Sequence, residues 1–185
     1  MATRVVPSAV DPATLAAPAA LAQQARAGST GALGDLYRLY GLALFRVAYR
    51  LTGSREDAED VLHDVFVGLP EALQGYKEQG RLDAWLRRVT ARVALMKLRK
   101  GRRQATLQLE PEAEPAPERD VEELQAAVNA LPVSLRSVVV LKEIEGYSHA
   151  ETAEMLGITV VTSRVRLMRA MSRLRRTLQG PGHES

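Results

Sequence analysis

The residues with the most evident chemistry are arginines. The stretch EGYSHAETAEMLGITVVTSRVRLMRAMSRLRR, from Glu145 to Arg176, is mixed in charge at first, then carries six arginines and no acid from Arg164 onward. Guanidinium groups along one helix neutralise successive phosphates, and a single one pairs bidentately with guanine. A second basic block runs from Arg81 to Arg103, with nine bases against one acid, Asp83. A third run has the opposite sign. From Arg55 to Glu71 there are six acids, Glu56, Asp57, Glu59, Asp60, Asp64 and Glu71, against one arginine. The two basic blocks hold 15 of the 25 bases, so a net charge of +3 conceals segregated surfaces that suit separate partners.

Other chemistries are poorly supplied. The chain has no cysteine, which removes disulfides, thiolate nucleophiles and thiolate metal sites. His63, His149 and His183 are far apart in sequence and do not suggest a metal centre. An acidic helix without histidine partners or a glycine-rich phosphate loop is not a catalytic pair. We expect no catalytic residue, no metal, no cofactor and no enzyme activity. No apolar run approaches the roughly 18 residues of a membrane span. The N-terminus lacks the basic start and apolar stretch of a secretion signal. The expected location is cytoplasmic, with no membrane partner.

The elements that must position these charges read as helices. Aromatic residues make up only 4%, and good helix formers dominate the 185 residues, so an all-α chain is expected. Residues 1–28, rich in Ala, Pro and Thr, read as a flexible tail. A first module, 29–103, begins with GALGDLYRLYGLALFRVAYRLTG, where Leu36, Leu39, Tyr40, Ala43, Leu44, Val47, Ala48 and Leu51 make one stripe. Thr52 and Gly53 stop that helix. Ser54 caps the next, with Glu56 and Asp57 in its first turn, and Pro70 should kink or restart it. Its stripe is Ala58, Val61, Leu62, Val65, Phe66 and Leu69. After a loop between Gly75 and Gly80 comes LDAWLRRVTARVALMKLRKGRR, with Trp85, Val89, Val93 and Met96 on one side. Residues 104–120 contain Pro111, Pro115 and Pro117 among glutamates, the composition of an extended acidic linker. A second module, 121–179, follows, and 180–185 form a short tail.

In the second module Ser148 and Glu151 have the spacing of a capping box. Ala153 permits a close helix crossing, Gly157 permits a left-handed turn, and Thr159 or Thr162 caps the arginine-bearing helix. Helix, small residue, glycine turn and helix make a helix-turn-helix, in which a bracing helix fixes the angle of one that enters a major groove about 12 Å wide.

These stretches together resemble the bacterial RNA polymerase sigma factors, sigma-70 family, of the small two-domain extracytoplasmic-function (ECF) subgroup. LFRVAYRLTGSREDAEDVLHDVF is similar to the helices of region 2, the Leu82–Arg103 helix to the one that melts and reads the −10 element, and Leu131–Arg175 to the −35-reading region 4. The resemblance implies core-polymerase contacts at Asp60, His63, Asp64 and Phe66. It implies −10 DNA contacts at Tyr76, Lys77, Trp85, Arg88 and Arg92, with the Gln74–Arg81 loop capturing a flipped base. It implies −35 contacts at Val160, Val161, Thr162, Arg164, Arg166 and Arg169. Its implied partners are core RNA polymerase, promoter DNA as duplex and melted strand, and an anti-sigma factor. The chain departs from the family pattern at Pro70, Arg92, Met96, Val161, Ser163 and Val165. Two rivals to an initiation factor are a conventional helix-turn-helix regulator, with residues 31–103 as a sensing or dimerising domain, and a helical scaffold that binds no DNA.

Overall fold

The computed structural model describes residues 17–77, 81–104 and 119–179. Within them the chain forms α1 (Pro18–Arg26), α2 (Thr30–Thr52), α3 (Arg55–Ala72), a 3₁₀ turn (Leu73–Gly75), α4 (Leu82–Gln104), α5 (Arg119–Asn129), α6 (Val133–Val139), a wider π-type turn (Val140–Ile144), α7 (His149–Leu156) and α8 (Val160–Gln179). No strand occurs among the described residues, and the all-α expectation holds.

The first module is α2, α3 and α4 packed side by side. Ser29 caps α2, and Gly53 ends it at φ 76° in the left-handed conformation, where its N–H bonds to the Tyr49 carbonyl. Ser54 then caps α3 by accepting from the Asp57 N–H. The stripes read from α2 and α3 are the faces that pack: Leu36, Leu44, Val47, Ala48 and Leu51 meet Ala58, Val61, Val65 and Leu69, all buried.

Three expectations need correction. Residues 18–26 are not tail: Leu21, Ala22 and Ala25 of α1 are buried against α2 and α3. Pro18 sits in the first turn, where its missing N–H costs nothing. Residues 1–16 lie outside the described residues. Pro70 does not restart a helix; α3 runs on to Ala72. Pro70 lies in the last turn, where its fixed φ suits the helix but its missing N–H leaves the Phe66 carbonyl without its usual helical donor. On α4 the buried face is Leu82, Leu86, Thr90, Ala91, Ala94 and Leu95, while Met96 is 58% exposed. Small Ala91 and Ala94, and Thr90 donating to the Leu86 carbonyl at 2.9 Å, allow closer helix approach than the larger side chains of the expected stripe.

The second module is α5 to α8. Gly157 turns α7 into α8 at φ 64°, and the capping box of Ser148 and Glu151 is formed in both directions. The proline-rich part of the expected linker, 105–118, lies outside the described residues; on either side of it, α4 extends through Gln104 and α5 starts at Arg119.

The two modules are packed on each other. One apolar cluster includes Val47, Leu51, Ala91 and Leu95 from the first and Val128, Leu131, Val139, Val140 and Leu174 from the second. Arg136 of α6 crosses the seam. Its Nε and Nη2 donate to the carbonyls of Leu51 and Thr52 at 3.2 and 2.8 Å, and its Nη1 to the Asn129 carbonyl at 2.8 Å. Those first two carbonyls belong to the last turn of α2, the negative end of its dipole, which no helical N–H can satisfy. Burial lowers the guanidinium's pKa below its ordinary value, yet the three carbonyls and the helix end suit its charge.

Candidate nucleic-acid interface

In α8 the buried residues are Ser163, Ala170 and Leu174, each on the face toward α5, α6 and α7. The opposite face presents Val161 (68% exposed), Arg164 and Met168 (66% exposed), spaced three and four apart. Thr159 caps the helix by accepting the Thr162 N–H at 3.1 Å. Of the expected −35 residues, Val160, Val161, Arg164 and Arg169 are exposed, and Thr162 and Arg166 are half-buried. Met168, which the sequence reading did not name, shares this exposed face by its spacing from Val161 and Arg164. Ser163, one of the departures from the family pattern, is fully buried, its hydroxyl 3.0 Å from Nδ1 of His149. That hydrogen bond ties α8 to the start of α7, so a polar residue replaces apolar packing at this crossing.

The expected −10 residues lie along α4 and the turn before it. Tyr76 and Trp85 meet with ring centroids 5.0 Å apart and planes tilted by 50°, both partly buried against the cluster that holds Leu82 and Leu86. Lys77 and Arg92 are exposed. Arg88 is engaged. Its Nη2 pairs with Glu151 at 2.5 Å, and its guanidinium lies 5.4 Å from the Tyr147 ring centre. Burial raises the Tyr147 phenol's pKa. The Glu151 carboxyl is held below the usual glutamate range, chiefly by the Ser148 N–H and hydroxyl and further by Arg88. The Gln74–Arg81 loop is described only in part, since 78–80 lie outside the described residues.

The acidic helix carries a different surface. Asp60, His63 and Asp64 are well exposed, and Phe66 is half-buried in an edge-on contact with Tyr37 at 5.1 Å. Between α2 and α3 opens a groove of about 460 Å³, lined by Leu33, Tyr37, Leu62, Phe66 and Val67 with Glu59 and His63 at its polar edge. Asp60 is not free: Lys97 donates to it at 2.6 Å and pairs with Asp57 at 3.2 Å. This lowers the Asp60 pKa. On Lys97, burial pulls the pKa down and the bonds to Asp60 and Asp57 more than offset it. Among the described residues no cluster of histidine and carboxylate side chains is arranged to hold a metal, and no helix is long and apolar enough to cross a membrane.

The family model for Sigma-70 region 2 matches residues 36–104, and that for Sigma-70 region 4 matches 121–174. The chain belongs to the sigma-70 family. Its sequence places it in the ECF branch of sigma factors. It is 32% identical over 157 residues to the ECF RNA polymerase sigma factor SigM of Mycobacterium tuberculosis, spanning 82% of this chain and 80% of that one. It is 35% identical over 153 residues to the ECF RNA polymerase sigma factor SigE of Mycolicibacterium smegmatis, covering 76% of this chain but only 59% of SigE. The sigma factor CnrH, solved with the cytosolic domain of CnrY, is similar over 88% of this chain and 97% of that one, at TM-score 0.55 and 30% identity. The Bartonella quintana sigma factor RpoE, solved with the anti-sigma factor NepR, shares the fold over 80% of this chain and 97% of that one, at TM-score 0.61 and 23% identity. The sigma region 2 match thus covers the acidic α3 and basic α4, and the region 4 match covers the helix-turn-helix of α7 and α8.

Proposed function

We propose that this sigma factor binds core RNA polymerase through α3, reads a −35 duplex with α8 and captures the melted −10 strand along α4. It performs no covalent chemistry; binding to the non-template strand drives opening. The observation that supports this reading most is the presence of two separate arginine-bearing helices, α4 and α8, on one chain that also carries the acidic α3. A conventional regulator needs one reading head, usually doubled by symmetry. Asp60, His63, Asp64 and Phe66 are the proposed polymerase contacts, Tyr76, Lys77, Trp85, Arg88 and Arg92 the −10 contacts, and Val160, Val161, Thr162, Arg164, Arg166 and Arg169 the −35 contacts. An anti-sigma factor is a further proposed partner, as for RpoE with NepR, and the proposed location is the cytoplasm.

Runoff transcription with core polymerase on a promoter library tests it. Arg164→Ala with Arg166→Ala should weaken promoter occupancy and leave polymerase binding near wild type, since a bidentate arginine–guanine pair is worth about 1–3 kcal/mol. Asp60→Lys with Asp64→Lys should do the reverse. A polymerase-independent DNA binder, with no transcript from any promoter, would return the chain to the regulator reading.

A further inference from the structure

We infer that α8 reads its duplex mainly through apolar side chains: Val161, Val165 and Met168 face the base edges and contact the C5 methyl groups of thymine, while the arginines beside them hold phosphates. This rests on the reading of α8 as the −35 helix and names the base chemistry that the helix recognises.

The order of residues around the helix carries the inference. α8 runs Val160–Gln179 and advances about 100° per residue. Ser163, Ala170 and Leu174 are buried against the rest of the second module. On the opposite side, Val161, Val165 and Met168 fall within about 60° of one another. Val161 is 68% exposed and Met168 66% exposed, so neither is used by the core. Val161 and Val165 are also two of the positions where the chain departs from the family pattern. The arginines take the flanks. Arg164 and Arg175 lie on one side of the apolar strip, Arg169 and Arg176 on the other, and all four are exposed. Each is about 40–80° from the centre of the strip. No acid interrupts them on this helix.

A helix in the major groove meets base edges with its central face and the phosphate walls with its flanks. An apolar side chain cannot pair with the donors and acceptors of those edges. The group it can cover is the thymine C5 methyl. Val161 sits in the first turn of α8, the end of a recognition helix that contacts bases. Thr159 caps that turn by accepting the Thr162 N–H at 3.1 Å. β-Branching leaves Val161 and Val165 little rotamer freedom to lose on docking, and the flexible Met168 can adapt to a step one or two base pairs away. An apolar strip bordered by arginines on both sides suits a polyanion better than an apolar protein surface. Val161 and Met168 are about 10 Å apart along the axis, so the thymines they touch lie within about four base pairs of each other.

The test selects duplexes from a random-sequence pool with the full chain bound to core polymerase. Each thymine of the enriched −35 element is then replaced by deoxyuridine, which deletes the methyl and keeps the hydrogen-bonding edge. At one or more positions occupancy should fall about fourfold, the value of one buried methyl-sized group. Val161→Ala or Met168→Ala should abolish the uracil penalty at one of these positions, and Val161→Thr, which keeps a methyl, should restore part of what Val161→Ala removes. Both alanines replace exposed side chains with a better helix former, so folding is spared. Arg169→Ala should instead weaken all duplexes alike, lower the salt slope by about one and leave the uracil penalty intact. An enriched element without thymine, or one insensitive to uracil, overturns the inference. So does a Val161→Ala defect of equal size on thymine and uracil duplexes together with an unchanged penalty in Met168→Ala. Failure to enrich any duplex would overturn the −35 reading itself, and this inference with it.

Discussion

The interior of the first module and the seam between the modules are both buried, but they are made of different material. Between α2, α3 and α4 the contacts are Leu, Val and Ala, with Thr90 satisfied within its own helix. At the seam the apolar cluster continues into the second module, but it is joined there by Arg136 and Glu145, each facing groups of the other module. Apolar faces gain by any close packing, so the module's interior tolerates small shifts and has no competing partner. Buried charges gain only when specific partners are in place, and water or another polyion offers substitutes once they part. The contrast separates an interior held by apolar packing from a joint that also depends on specific charged partners.

The sharpest way to break that comparison is to wound each side. Leu86 is fully buried within the first module, and Leu86→Ala should cost about 2–5 kcal/mol in denaturant unfolding. A cost below about 1 kcal/mol, the range of exposed sites, would mean that this interior is not the stable unit. Next in size is Arg136→Met, which strips three carbonyls of their donor and should cost about 1–3 kcal/mol. Here the loss should appear as expansion in small-angle scattering with the helical circular dichroism retained. Loss of helicity instead would make the seam part of one indivisible core.

Gly53 sharpens the comparison further. Its φ of 76° costs an L-residue about 1–2 kcal/mol. A Cβ there would also lie 2.5 Å from Nη1 of Arg136. Gly53→Ala should therefore cost less in an Arg136→Met background than in the wild type, by at least about 0.5 kcal/mol in a double-mutant cycle. Strict additivity would remove Arg136 from its place on α2. Smaller still is Lys97→Met, which loses pairs to Asp57 and Asp60 that are largely solvated and should cost under about 1 kcal/mol, less at high salt.

The smallest effect is that of pH on Glu151. Its pKa is lowered in the folded chain, so its contribution is fully present above the ordinary glutamate value and is lost as pH falls through the lowered one. Closure measured by scattering should be insensitive to Glu151 from neutral pH down to about that ordinary value, near 4.3. A Glu151-dependent opening at higher pH would contradict the capping geometry.

What could be read from the sequence was whatever repeats along it or sits within a few residues. The stripes of α2 and α3, the Ser54 cap, the Gly53 and Gly157 turns and the Ser148–Glu151 box are local, and each folds as its neighbours dictate. On α4, Trp85, Val89 and Val93 pack at the edge of the core and Met96 is exposed, while buried Thr90, Ala91 and Ala94 went unnamed because alanine and threonine carry weak apolar signals. α1 was missed because alanines beside a proline look like tail composition, and only contact with α2 gives Leu21 and Ala25 a place to be buried. The seam left no local trace. Arg136 and Leu51 are 85 residues apart, and an arginine between serine and leucine reads as surface charge. The exposed candidates Arg164, Val161 and Asp60 were legible as types and spacings, while the engagement of Arg88 depends on a module far along the chain.

The π-type turn at Val140–Ile144 has a consequence of phase. An α-helix advances each residue by about 100° around its axis, so one extra residue in a turn resets the direction of everything after it by that angle. Here the reset comes just before Glu145 and the start of α7. The turn acts as an indexing tooth between α6, which grips α2, and the carboxylates that reach α4. Removing one residue between Val140 and Ile144 would leave Arg136 seated and the helix-turn-helix whole, but would swing Glu145 away from Arg50 and Arg87. Length changes of a single residue here thus reset the joint without altering the residues of α4 or α8, a step that substitution cannot take.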